Sequence, residues 1–399
     1  MDELIQQISQ NAKAATSALN SLSTESKDEL IIKAANKINQ SRKEILTANQ
    51  LDVEDAITNE KDDAFVDRLL LTDERIDGII ETLNNIVKLP DPVGKVLDKW
   101  KQPNGLEISR VRTPLGTIGI IFESRPNVSA DASALCIKSG NAVVLRSGSD
   151  SLRSSQALVE CFTSALNDMN LPIGIVQIIP SKDRAMVTHM LKGLNNAIDV
   201  IVPRGGKSLV QAVQDSATIP VFGHLEGICH TYIDKGAVLN TSISVVTNAK
   251  MRRPGICGAL ETLLIHKDSS EQLNSILDSL IEAGCEIRGC EKTVALDNRA
   301  TPANDIDWDT EYLSPILSVK IVDDINEAIE HIQKHGTGHT DVIISEDKNS
   351  QDYFINQLDS AILMINASSQ FADGGEFGMG GEIGIATGKF HARGPVSLE

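Results

Sequence analysis

Thr117-Ile118-Gly119-Ile120-Ile121-Phe122 is the stretch on which the fold of this chain turns. It is apolar, rich in β-branched residues and short. Runs of the same kind recur at Ala142 to Arg146, Ile175 to Ile179 and Ile198 to Val202, with helix-forming stretches such as Leu152 to Leu166 and Ser181 to Leu191 between them. Strands without a polar face need cover on both sides, and spacers of this length suit crossovers between parallel strands. The rhythm predicts a parallel α/β sheet.

Upstream, residues 1 to about 88 carry apolar positions at helical spacing (Leu30, Ile31, Ala34, Ala35, Ile38, then Ile76, Ile79, Ile80, Leu83, Ile86) in a charged background, a set of amphipathic helices. Leu89-Pro90-Asp91-Pro92-Val93-Gly94 breaks that pattern, and Leu106 to Arg112 alternates as an extended ribbon before Pro114. Downstream the strand-and-helix rhythm restarts: Glu261 to His266, a helix through about Ala283, Ile316 to Val322, a helix from Asp324 to about Lys334, Asp341 to Ile344, and Ala361 to Ile365. This predicts a second α/β domain, with the boundary near Asn248. The glycine-crowded tail from Asp373 to Gly394 is expected to be loop with at most a short strand.

A chain of 399 residues is long enough for two cores. Lys and Arg number 37 against 55 Asp and Glu, a balance of −18 that disfavours nucleic acid and anionic membrane surfaces while leaving room for a small anion in a local pocket. The start, Met1-Asp2-Glu3-Leu4, has no basic segment leading into an apolar one, and no run approaches membrane-spanning length. A cytoplasmic protein with reduced thiols is expected.

Among the six cysteines (Cys136, Cys161, Cys229, Cys257, Cys285, Cys290), Cys257 has the neighbours of a reactive thiol. In Arg252-Arg253-Pro254-Gly255-Ile256-Cys257-Gly258, glycines leave room for a carbonyl to approach and arginines favour thiolate. Burial as a small apolar side chain is the alternative for any free cysteine, and Cys136, Cys161 and Cys229 read as core. No second Cys or His pair at zinc spacing follows Cys285 and Cys290, so no metal site is expected. Neither G-x-G-x-x-G after a strand nor a Walker P-loop occurs. Gly205-Gly206-Lys207-Ser208 is a turn after a strand, open to a ligand or to a tight helix start.

Read in order, the motifs resemble the aldehyde dehydrogenase superfamily and, within it, the gamma-glutamyl phosphate reductase family. They are Phe122-Glu123-Ser124-Arg125-Pro126-Asn127, Lys138-Ser139-Gly140-Asn141, Leu145-Arg146-Ser147-Gly148, Val202-Pro203-Arg204-Gly205-Gly206, Gly223-His224-Leu225-Glu226-Gly227-Ile228-Cys229-His230, Arg253-Pro254-Gly255-Ile256-Cys257-Gly258, Glu311-Tyr312-Leu313-Ser314-Pro315, and Gly375-Glu376-Phe377-Gly378 through His391-Ala392-Arg393-Gly394-Pro395. The resemblance implies two parallel-sheet α/β domains with a small β-ribbon oligomerisation element. Residues 1–104 and 114–247 would form the NADPH-binding domain, 248–366 the catalytic domain, and 105–113 with 367–399 the ribbon and C-terminal loop.

The resemblance also implies a reaction: NADPH-dependent reduction of L-glutamate 5-phosphate to the semialdehyde and phosphate, the second step of proline synthesis, through a thioester on Cys257. Asn127 matches the oxyanion-hole asparagine, though a helix cap is its other reading. Arg146, Ser147 and Gly148 match the adenosine-ribose site, where an arginine can pair with a 2′-phosphate. Gly205 and Gly206 match the pyrophosphate turn, and Glu311 the holder of the nicotinamide ribose. Arg125, Arg253, His391 and Arg393 are candidates for the substrate's anions. Where oxidising relatives keep a glutamate base, this chain has His224, which suits a thioester not destined for water, although Glu226 lies close. His224 is equally readable as a packed imidazole. A homo-oligomer is expected, together with an association with the glutamate 5-kinase of the same pathway. Family members continue a little beyond the His-Ala-Arg-Gly-Pro segment, so an end at Glu399 is expected to weaken assembly. The competing readings are a hydrolytic NAD(P)-dependent aldehyde dehydrogenase and a catalytically dead nucleotide-binding scaffold.

Overall fold

The computed structural model describes residues 1–389, 394–396 and 398. The chain divides into two compact units, Met1–Gly223 and His224–Phe377, with pieces of the C-terminal stretch grouped with each. As expected, the first unit opens on helices: Asp2–Leu19, Thr24–Gln40, Arg42–Thr58, Asp63–Leu69 and Asp73–Lys88. Ser23, Asp62 and Thr72 cap three of them by accepting a backbone N–H in the first turn. The apolar stripe Leu30, Ile31, Ala34, Ile38 and its counterpart Ile76, Ile79, Leu83, Ile86 are buried in one core with the helices Asn127–Lys138 and Leu152–Asp168.

Strands β1 (Val96–Lys101) and β2 (Glu107–Val111) form an antiparallel hairpin whose residues are exposed except for the half-buried Ile108. The ribbon at Leu106 to Arg112 was legible from its alternation; its partner β1 was not, because Leu97-Asp98-Lys99-Trp100 has no buried face to reveal. Strands β3 (Thr117–Phe122), β4 (Ala142–Ser147), β5 (Val176–Ile178) and β6 (Val200–Arg204) pair in parallel in the order β5-β4-β3-β6, with β3 and β4 buried throughout.

The second unit is a parallel sheet of β7 (Cys229–Ile233), β8 (Leu260–His266), β9 (Glu286–Gly289), β10 (Thr301–Pro302), β11 (Ile316–Val322), β12 (Thr340–Ile344) and β13 (Ile362–Ile365). Their order is β10-β9-β11-β8-β7-β12-β13, with fully buried β8 at the centre. Helices Leu239–Met251, Leu273–Glu282, Ile325–His335 and Lys348–Gln357 belong to this unit. The expected boundary near Asn248 needs correcting: β7 pairs with β8 and β12, so the second unit begins at His224. β7 escaped sequence reading because Cys229-His230-Thr231-Tyr232-Ile233 looks polar. His230 nevertheless fits in the interior, with Asp341 3.2 Å from its Nδ1. The stretch 367–399 does not form one separate element, since its parts group with both units; within it β14 (Gly384–Ala386) and β15 (Gly394–Val396) pair with each other. Among the described residues, no helix is long and apolar enough to cross a membrane.

Candidate active site

Cys257 sits in the loop between the helix Leu239–Met251 and β8. It is half-buried, whereas Cys136, Cys161, Cys229 and Cys285 are buried, and burial pushes the Cys136 and Cys285 thiols up to about 12. The loop is held at its two ends. Lys250, at the close of the helix, and Glu261, in β8, form an ion pair of 2.6 Å with both side chains fully buried. Burial pushes the Glu261 carboxyl up to about 7 against the pull of Lys250. The other oxygen of Glu261 accepts the N–H of Leu313 at 3.2 Å. That bond ties down a leucine held in the left-handed region at φ 51°.

A second loop, leading into β7, lies against the first. Gly227 is required there: a Cβ would stand 2.0 Å from the Cys257 carbonyl oxygen. The Gly227 N–H donates to Glu311 Oε1 at 2.8 Å, and the Cys229 thiol donates to the Cys257 carbonyl at 3.1 Å. His224 on this loop has its Nδ1 2.8 Å from the carbonyl of Ile385, an acceptor, so Nδ1 carries a proton. Its ring meets that of His339 edge-on at 4.9 Å, and ligand atoms of His224, His339 and Cys257 all lie within 4.8 Å of one another. Burial, then His224, drives the fully buried His339 down to about 3, so it stays neutral at ordinary pH.

Arg252 pairs with Glu376 at 2.7 Å and lies over the Phe371 ring, and Arg253 is exposed. His391 and Arg393 lie outside the described residues.

In the first unit, the sequence candidates follow strands. After β3 the chain turns through Ser124, buried and left-handed at φ 44°, and presents exposed Arg125 and half-buried Asn127 at the start of the helix Asn127–Lys138. Asn127 Nδ2 donates to Asp131 Oδ2 at 2.9 Å. After β6, Gly206 caps the helix Lys207–Ser216, and its N–H donates to Glu123 Oε2 at 3.0 Å, so an anionic oxygen already sits on that helix start. A Cβ on Gly205 would lie 2.4 Å from the same oxygen. At the end of β4, Arg146 and Ser147 are buried. Arg146 Nη1 donates to the Ser147 carbonyl, while Arg146 Nε and Ser147 Oγ have no hydrogen-bond partner among the described residues. Burial lowers the Arg146 pKa.

Sequence reasoning missed Lys250, Glu261, His339, Glu123 and Asp131. Two of them left a signal. Glu261 stands in the fully buried strand β8, where a carboxylate needs a counter-ion, and Asp131 is the one acid in the helix Asn127–Lys138.

The chain matches the model of the aldehyde dehydrogenase family over residues 2–285 and 298–392. It is 54% identical to a gamma-glutamyl phosphate reductase from Brucella suis over 398 residues, covering 100% of this chain and 94% of that one. To a protein of the same name from a Bradyrhizobium species it is 50% identical over 399 residues, covering 100% and 93%. The crystal structure of a gamma-glutamyl phosphate reductase from Thermotoga maritima superimposes with a TM-score of 0.96 at 43% identity, covering 99% of this chain and 95% of that one.

Proposed function

We propose, on the premise that this chain belongs to the aldehyde dehydrogenase family, that it reduces L-glutamate 5-phosphate to L-glutamate 5-semialdehyde and phosphate, the second step of proline synthesis. The observation that carries the mechanism is Cys257: a half-buried thiol on a loop anchored by a buried ion pair, beside two imidazoles. Its thiolate attacks the acyl carbonyl, the carbon–oxygen bond to phosphate breaks, and a thioester remains. The chemistry supplied by the nicotinamide dinucleotide, when bound, is hydride donation to that thioester. Collapse of the resulting tetrahedral adduct returns the thiolate of Cys257 and frees the aldehyde. Asn127 stabilises the oxyanion at both tetrahedral stages with its amide N–H; the carboxylate of Asp131 can only accept, so it fixes which end of that amide is the donor.

The first unit's residues fit a dinucleotide. Gly205 and Gly206 would hold the pyrophosphate at the helix start that Glu123 now occupies, and Arg146, Ser147 and Gly148 the adenosine ribose. A buried guanidinium with an orphaned Nε supports a 2′-phosphate there, hence NADPH over NADH. Glu311 would bind the nicotinamide ribose, and Arg125, Arg253, His391 and Arg393 are kept as candidates for the substrate's anions. Exposed Val96, Leu97, Trp100 and Val111 on the β1–β2 hairpin support its use in a homo-oligomer. A cytoplasmic location and an association with glutamate 5-kinase complete this reading.

The reverse reaction tests it. Semialdehyde and NADP should turn over only with phosphate, yielding the acyl phosphate, and Cys257→Ser should abolish turnover while dinucleotide binding persists. Phosphate-independent release of free glutamate would establish the hydrolytic alternative.

A further inference from the structure

The first unit contains a cavity of about 600 Å³ between the helices Asp63–Leu69, Asp73–Lys88 and Asn127–Lys138, a size suited to a small molecule. Asn127, Asp131, Arg125 and Arg68 are among the residues that line it. Asp131 is the anomaly on its wall. One carboxylate oxygen takes the Asn127 amide; the other, Oδ1, is buried with no hydrogen-bond partner among the described residues, and no cation offsets the burial. Glu261 in the second unit shows what such a group ordinarily has, an ammonium at 2.6 Å supplied by Lys250. Asp131 lines the cavity, and a carboxylate there with one oxygen left unpaired calls for a donor from outside the protein.

We propose that this cavity binds the α-amino-acid end of the substrate, with Asp131 receiving the α-ammonium and Arg68 and Arg125 the α-carboxylate. This rests on the acyl phosphate reductase reading and deepens it. Asp131 follows Asn127 by one helical turn, a separation of about 5–6 Å. With the reacting carbonyl oxygen on the Asn127 amide, the short methylene spacer of a glutamyl chain brings its ammonium to Asp131. The lining carries charged side chains of both signs, as a zwitterion requires. Arg75 is already committed to Asp67 at 2.7 Å and to the Leu70 carbonyl at 2.8 Å. Asp131 thereby acts as a specificity residue that selects an α-amino acid over a plain acid aldehyde, and it does so without entering the bond-making steps.

The test compares two aldehydes in the phosphate-dependent reverse assay: L-glutamate 5-semialdehyde and 5-oxopentanoate, which lacks only the amino group. Asp131→Asn keeps an acceptor for the Asn127 amide and removes the charge. It should raise KM for the semialdehyde roughly 10- to 100-fold, the scale of a lost charge-assisted bond, with no such rise for 5-oxopentanoate, while any loss in kcat from a less firmly oriented Asn127 falls equally on both aldehydes. Arg68→Gln should raise KM for both aldehydes, since both keep the carboxylate. Retained turnover of 5-oxopentanoate shows that the Asp131 variant is folded. Equal losses on the two aldehydes, with no selective rise in KM for the semialdehyde, would overturn the proposal and reduce Asp131 to a positioning residue for Asn127. A wild-type protein with no phosphate-dependent turnover of the semialdehyde would instead sink the reaction itself.

Discussion

The two sheets put their chemistry at opposite edges. In the first unit every candidate follows its strand: Glu123 to Asn127 after β3, the Arg146-Ser147-Gly148 segment at the end of β4, Gly205 and Gly206 after β6. This is the carboxyl edge at which parallel α/β sheets bind ligands, because helices begin there and turn N–H groups toward an anion. In the second unit the order is reversed. His224 precedes β7, Cys257 precedes β8, Glu311 precedes β11 and His339 precedes β12, all at the amino edge. Helices end there. Leu239–Met251 runs its carbonyl end toward the Cys257 loop, an end that disfavours added negative charge. On the proposed reading, phosphate binding can therefore use the backbone in one unit, whereas a thiolate at Cys257 in the other would have to rely on side chains such as His224, whose ring lies beside the sulfur.

Breaking the second edge should cost most. Lys250→Met leaves the Glu261 carboxylate buried without its partner, and a loss of about 3–5 kcal/mol of stability is expected in denaturant melts. A smaller effect separates the two buried carboxylates. The Asp131 carboxyl is raised from 3.8 to about 6 by burial, so the folded state holds its proton more tightly than the unfolded chain does. That contribution to stability is greatest at low pH and is lost as pH rises through about 6. Asp67, Arg68, Glu74, Arg75 and Arg125 also face the cavity, but they are common to both proteins. The wild type should thus weaken relative to Asp131→Asn by on the order of 2 kcal/mol between pH 4 and 7, readable in paired thermal melts. The mildest perturbation belongs to the first edge. Gly205→Ala pushes a methyl against Glu123 and Leu209 and should weaken dinucleotide binding about tenfold, while alkylation of Cys257 keeps its rate.

How much of this could be read in advance followed from burial. β3, β4, β8, β11 and β12 are apolar and fully or almost fully buried, so their letters announce them. The exposed β1, the polar-looking β7 and the two-residue β10 have no such signature. Cys257 stood out through the glycines beside it and a family motif, yet the glycine that does most to seat it is Gly227, which local sequence could not connect to a carbonyl on another loop. The arginine pair was read for its charge near the sulfur; the pairing of Arg252 with Glu376, more than a hundred residues away in sequence, had no local signature. His339 was silent in sequence, since a lone histidine before a strand carries no spacing to mark it.

The Lys250–Glu261 pair also constrains how the gene can drift. Changing either codon alone strands a charge in the interior, so single-step routes away from the pair pass through a crippled protein, and the two positions are expected to change together or not at all. Two residues that never meet the substrate are in that sense inherited as one.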